Sequence, residues 1–185
     1  IAILFPLISV IALRYTRLQS TLYSEKKPFH WSTLGVMMLW IFADSALFET
    51  LSRSGSMDIW SHYTLLIICS HLAGVFLAYR YGGELMSQTR VIWFLFVLSY
   101  VLYWLKEPIA LAVIYPIVIS YYNVLLFQAL IRLADIRLIG LSMVGVGWIA
   151  TSAANAVALE HQIWIAAGVL GMGALMYPFY FRRLA

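Results

Sequence analysis

The chain has 185 residues, 63% of them hydrophobic and only 11% charged, with a formal net charge of +4. Water-soluble domains carry about 25% charged residues, and the apolar runs here are too long and too many for a soluble core. A pI near 9.3 would suit a nucleic-acid binder, but the basic residues stand at the ends of apolar runs, where they orient helices in a membrane, so nucleic acid is set aside as a partner.

Taken in order, the apolar runs predict about seven membrane spans, at roughly 1–18, 32–52, 59–80, 90–105, 109–131, 138–159 and 162–181. A helix rises 1.5 Å per residue, so about 20 residues cross the hydrocarbon layer. The chain opens on Ile1, inside an apolar run, so its natural N-terminus is expected to lie upstream. Arg14, Arg17, Lys26 and Lys27 fall between the first two spans, Arg80 and Arg90 around the third connection, Arg132 and Arg137 in the fifth, and Arg182 and Arg183 after the last. The alternate connections hold only Arg53 and Lys106. This asymmetry predicts N-out/C-in orientation in a bacterial-type inner membrane. The expected fold is therefore an all-α, polytopic bundle forming one transmembrane domain over residues 1–185.

An internal echo accompanies the spans. Ala2–Ile8, with Pro6, resembles Ala112–Val118, with Pro116, and Ala43-Asp-Ser-Ala-Leu-Phe-Glu49 lines up with Ala154-Asn-Ala-Val-Ala-Leu-Glu160. The copies are four spans apart and share an orientation, which predicts a parallel repeat of spans 1–3 and 5–7. Asp44 and Asn155 would then be symmetry mates.

Asp44 is the residue around which a functional reading forms. It lies about nine residues from the outer end of its span, roughly 13 Å deep. A carboxyl inside a span costs roughly 2.5–3.5 kcal/mol on insertion scales, so it is expected to have a partner or a task. His71, in Cys-Ser-His-Leu72, is a candidate proton-transfer partner, with an interhelical hydrogen bond as the plainer alternative. Asn155 is the third catalytic candidate, in a helix rich in glycine and alanine that suits close packing. Tyr121, Tyr122 and Asn123, midway along the fifth span, are candidate substrate-binding residues. The single cysteine, Cys69, and the lack of metal-ligand spacing point to no metal and no cofactor.

Familiar seven-span identities narrow the field. An opsin-type retinal protein needs a lysine in its last helix, and Lys26, Lys27 and Lys106 are the only lysines. Three-plus-one-plus-three carriers have a proline in spans one and five, as here, but their Pro-Gln signature is replaced by Pro6-Leu and Pro116-Ile. Phe42-Ala-Asp-Ser-Ala-Leu47, Leu65-Leu-Ile-Ile-Cys-Ser-His-Leu72, Ile114-Tyr-Pro-Ile-Val118 and Ser152-Ala-Ala-Asn155 resemble, in residues and spacing, segments of the YhhN-like lysoplasmalogenase family over roughly residues 35–181. The resemblance implies eight spans in two halves, the first absent here, and hydrolysis of the vinyl ether of lysoplasmalogens. It also implies that Asp44 is an acid/base and Asn155, where many members carry a second acid, its polar partner. Membrane lipids are the expected ligands, and a helix-binding partner or homo-oligomer is open. A small-solute carrier or sensor, and a non-catalytic membrane subunit, remain the alternative readings.

Overall fold

Long apolar stretches with few charges leave the backbone to satisfy its own hydrogen bonds, as a helix does within each segment, and the segment holding Pro116 stays helical through it. A computed structural model describes residues 31–55, 57–82, 85–131 and 136–181, with side-chain surroundings from Thr33 to Gly173 except residues 85, 86 and 136 within those segments. The elements are α1 (Trp31–Arg53), α2 (Ile59–His62), α3 (Thr64–Tyr81), α4 (Leu85–Trp104) and α5 (Pro108–Ile131). There follow α6 (Ile136–Met143), a π-helical segment (Val144–Ala150), α7 (Thr151–Leu159) and α8 (Ile163–Phe181). No strand occurs among the described residues. Among the described residues, four helical stretches are long and apolar enough to cross a membrane: Thr33–Arg53, Thr64–Tyr81, Pro108–Ile131 and Arg137–Leu159. The predicted first span, and with it Pro6 and the Ala2–Ile8 arm of the echo, lies outside the described residues.

Two helices organise the packing. α5 lies against α3 and α4, α1 lies against the π segment, α7 and α8, and α1 also meets α4 and α5. The core at this junction is built from Trp40, Ala43 and Leu47 of α1, Phe96 and Tyr100 of α4, and Tyr115, Tyr122 and Leu125 of α5. α1 and α7 pack together, and Ala43 and Ala46 of the one and Ala154 and Ala158 of the other are buried. Small residues let helix backbones approach where hydrocarbon provides no hydrophobic drive to associate.

The predicted span 59–80 is broken. Asp58 accepts the Trp60 amide at 3.0 Å and the Ser61 hydroxyl at 2.7 Å, capping a single short turn. The bond from Ser61 holds the Asp58 carboxyl below its ordinary range. Tyr63 then leaves helical geometry at φ −123°, ψ 33° before α3 begins. The sixth predicted span is continuous but changes winding at the π segment, which contains Gly145 and Gly147.

Two tight connections share one geometry. After α4, Lys106 donates its amide to Tyr103 and Glu107 to Leu102; after α7, His161 donates to Ala158 and Gln162 to Val157. These are the paired bonds of a helix C-cap that wants a left-handed residue, and Lys106 (φ 57°) and His161 (φ 55°) supply it. A side chain there costs roughly 1 kcal/mol relative to glycine. Lys106→Gly and His161→Gly are each expected to raise stability by about 0.5–1 kcal/mol in detergent unfolding; a loss of stability would show that these side chains make compensating contacts.

Candidate functional site

Asp44 faces α5, where Tyr115 and Tyr122 are seven residues, or two helical turns, apart and therefore share a face. The Tyr115 hydroxyl donates to Asp44 Oδ1 at 2.7 Å and also reaches the Asp44 backbone carbonyl at 2.9 Å. The Tyr122 hydroxyl donates to Oδ2 at 2.5 Å. Both carboxyl oxygens thus have a phenol donor, and both tyrosines are fully buried. From α4, the Tyr100 hydroxyl donates to the carbonyl of Ala43 at 2.8 Å. Three tyrosines from two helices therefore converge on one turn of α1.

Aromatic rings enclose this polar centre. Trp40, one turn before Asp44, stacks on Phe96 at 5.8 Å, and Phe96 meets the Tyr122 ring at 5.5 Å. On the other side Trp60 of α2 lies edge-on to Tyr115 at 6.2 Å and tilted against Phe48 at 5.2 Å. The indole N–H groups of Trp40 and Trp60 are both buried without a hydrogen-bond partner among the described residues. A buried N–H left unpaired costs about 1–3 kcal/mol, so each requires an explanation.

The remaining candidate residues occupy other places. His71 is half-buried on α3 and its Nδ1 lies 2.6 Å from the Ser120 hydroxyl of α5. This is the interhelical bond foreseen as its plainer alternative. The contact lies where the two backbones come closest, since a β-carbon built on Gly74 would sit 2.5 Å from the Ile117 carbonyl oxygen and 2.9 Å from Ser120 Cβ. Tyr121 points away from Asp44 and donates to Gln88 Oε1 of α4 at 2.9 Å. Asn123 follows Tyr122 on α5, partly buried. Asn155 sits on α7, which packs on α1, and its Oδ1 is buried without a partner among the described residues.

No protein-family model matches the chain, and no curated protein or solved structure shows significant similarity to it. The functional argument therefore rests on the geometry of the site and on the sequence. Of the six residues singled out from the sequence, Asp44 and Tyr122 meet directly, and Tyr122 also hydrogen-bonds the side chain of its neighbour Asn123. Tyr115, Tyr100 and Trp60 were not singled out, although the seven-residue interval between Tyr115 and Tyr122 was a readable signal of a shared face. No group of three or more His, Cys, Asp or Glu side chains that could hold a metal ion occurs among the described residues. Chemically, the arrangement is a carboxyl able to exchange one proton, with two hydroxyl donors placed on the charge that proton loss leaves behind.

Proposed function

We propose that the chain is a multi-pass inner-membrane hydrolase that cleaves the vinyl ether of a lysophospholipid, with Asp44 as general acid. The observation that carries this reading is the pair of phenols on the Asp44 carboxyl. Hydrolysis of an enol ether begins when an acid protonates the β-carbon. Water then adds to the oxygen-bearing carbon of the resulting cation and releases a proton. The hemiacetal collapses to a fatty aldehyde and a free glycerol hydroxyl, and Asp44 ends reprotonated. The acid loses charge neutrality in the first step, so donors on both its oxygens bind more strongly in the transition state than before it. General acid catalysis of this kind contributes typically 10²–10⁴-fold.

Supporting this reading are the Lys and Arg asymmetry, which favours N-out/C-in spans, and the resemblance to YhhN-like proteins at Asp44, His71, Pro116 and Asn155. In the proposed topology Asp44 lies in the outer half of the membrane, within reach of the glycerol end of a lipid. Asn155, the proposed repeat mate, offers an unused acceptor on a helix packed against α1. His71 acts outside the acid step, tying α3 to α5 through Ser120.

The test is aldehyde release from an alkenyl lysophospholipid by the purified protein in detergent or proteoliposomes. Release well above that of an empty-vesicle control supports the reading; none would overturn it. One observation favours a second reading. Because both Asp44 oxygens are already occupied, the carboxyl also works as a tie between α1 and α5 in a non-catalytic membrane subunit.

A further inference from the structure

We infer that the Trp60 indole N–H is a ligand-binding donor at the approach to Asp44, where it takes an acceptor oxygen from the polar end of a single-chain lipid. This rests on the lipid reading above and adds the part of the substrate that is held.

Three observations meet at Trp60. Its Nε1 is buried and has no hydrogen-bond partner among the described residues, although the residue as a whole is only partly buried. An interfacial tryptophan normally keeps its apolar ring against hydrocarbon and its N–H on a polar partner. Here the ring is engaged, by Tyr115 on one side and Phe48 on the other, while the donor is idle. Second, Trp60 is fixed in place: Asp58 accepts its backbone amide at 3.0 Å and the preceding Ile59 is fully buried. The idle donor is thus held by the fold. Third, Tyr115 touches both the Trp60 ring and the Asp44 carboxyl, so one tyrosine side chain separates the donor from the proposed acid.

That spacing suits one kind of guest. An indole N–H is a donor only, so it selects an oxygen acceptor and gives nothing to an ammonium group. In a lysophospholipid the phosphate and glycerol oxygens lie only a few bonds from the enol ether. An oxygen bound at Trp60 therefore sets the enol ether beside Tyr115 and Asp44. Phe48, 40% exposed and packed on the Trp60 ring, offers an apolar flank along which the chain of the lipid leaves sideways.

The test uses isotope-labelled tryptophan in the full chain, which contains seven tryptophans, with the Trp60 indole signal identified by its loss in Trp60→Phe. The probes are a saturated-ether lysophospholipid, the matching alkylglycerol without phosphate, and inorganic phosphate alone. A downfield shift of the Trp60 N–H with the lysophospholipid only assigns the acceptor to a phosphate oxygen. A shift with both lipids assigns it to a glycerol oxygen. Either supports the inference, and Trp60→Phe should then weaken lysophospholipid binding about tenfold, the value of one buried hydrogen bond. No shift with either lipid, or a shift with inorganic phosphate alone, would overturn it. The Asp44→Asn protein should retain the lipid-induced shift. Loss of turnover there, with the Trp60 signal still responding, separates a failure of the acid from a failure of the binding donor.

Discussion

Asp44→Asn is expected to lower aldehyde release by at least about 10²-fold while leaving a folded protein. The amide keeps the size and planarity of the carboxyl, and its oxygen still accepts from one phenol. Its NH2 replaces the second acceptor, so either Tyr115 or Tyr122 must turn to accept instead of donate. That rearrangement costs about 1 kcal/mol, the scale of one hydrogen bond. Asp44→Leu differs in kind. It takes the acceptor from the buried Tyr122 hydroxyl and leaves Tyr115 only the backbone carbonyl of residue 44, at about 1–3 kcal/mol for the unpaired hydroxyl, and should destabilise the helix pair as well as abolish turnover. Parallel unfolding and turnover measurements on the two variants separate chemistry from support. Full turnover by Asp44→Asn would leave the carboxyl as a structural tie only.

The largest effect on stability is expected from Gly74→Val. At that position the backbone of α5 is the neighbour: a β-carbon would meet the Ile117 carbonyl oxygen at 2.5 Å and Ile117 Cα at 3.0 Å. Backbone atoms cannot swing aside as the end of a flexible side chain can. The two helices must separate, and His71, one turn earlier on α3, loses its 2.6 Å contact with Ser120 in the process. Overpacking typically costs 1–3 kcal/mol, and the added loss of packing along the α3–α5 contact should bring the total to about 3 kcal/mol or prevent accumulation of folded protein. Gly168→Ala is the control, since nothing among the described residues lies within 4 Å of a β-carbon there. It should be neutral or slightly stabilising through helix propensity alone. Similar losses for the two variants would contradict the close α3–α5 approach.

Much of this architecture was legible because hydrocarbon-length apolar runs permit few alternatives. Residues 32–52 and 109–131 became α1 and α5 with bounds displaced by only a residue or so. Asp44 stood out because no other acid interrupts an apolar run so deeply. The break at Tyr63 was not read, since the stretch after Asp58 is apolar enough to pass for helix, and the decisive signal was local capping by Asp58 and Ser61. The π segment was likewise hidden, because its glycines read equally well as a packing surface. His71 illustrates the limit of one-dimensional reading. Depth alone made it a suitable partner for Asp44, but the partner is chosen by which helix it faces, and α3 faces Ser120. The indole of Trp60 carried no signal at all until its ring contacts and its idle N–H were known together.

Every functional statement depends on a direct contact between Asp44 and the tyrosines of α5. A double-mutant cycle on unfolding stability, using Asp44→Leu, Tyr122→Phe and the pair, measures that contact most directly. Residues joined by a hydrogen bond in this setting should show a coupling of about 1 kcal/mol, so that the double variant is more stable than the sum of the single losses predicts. Losses that add to within about 0.3 kcal/mol would mean that the two side chains do not meet.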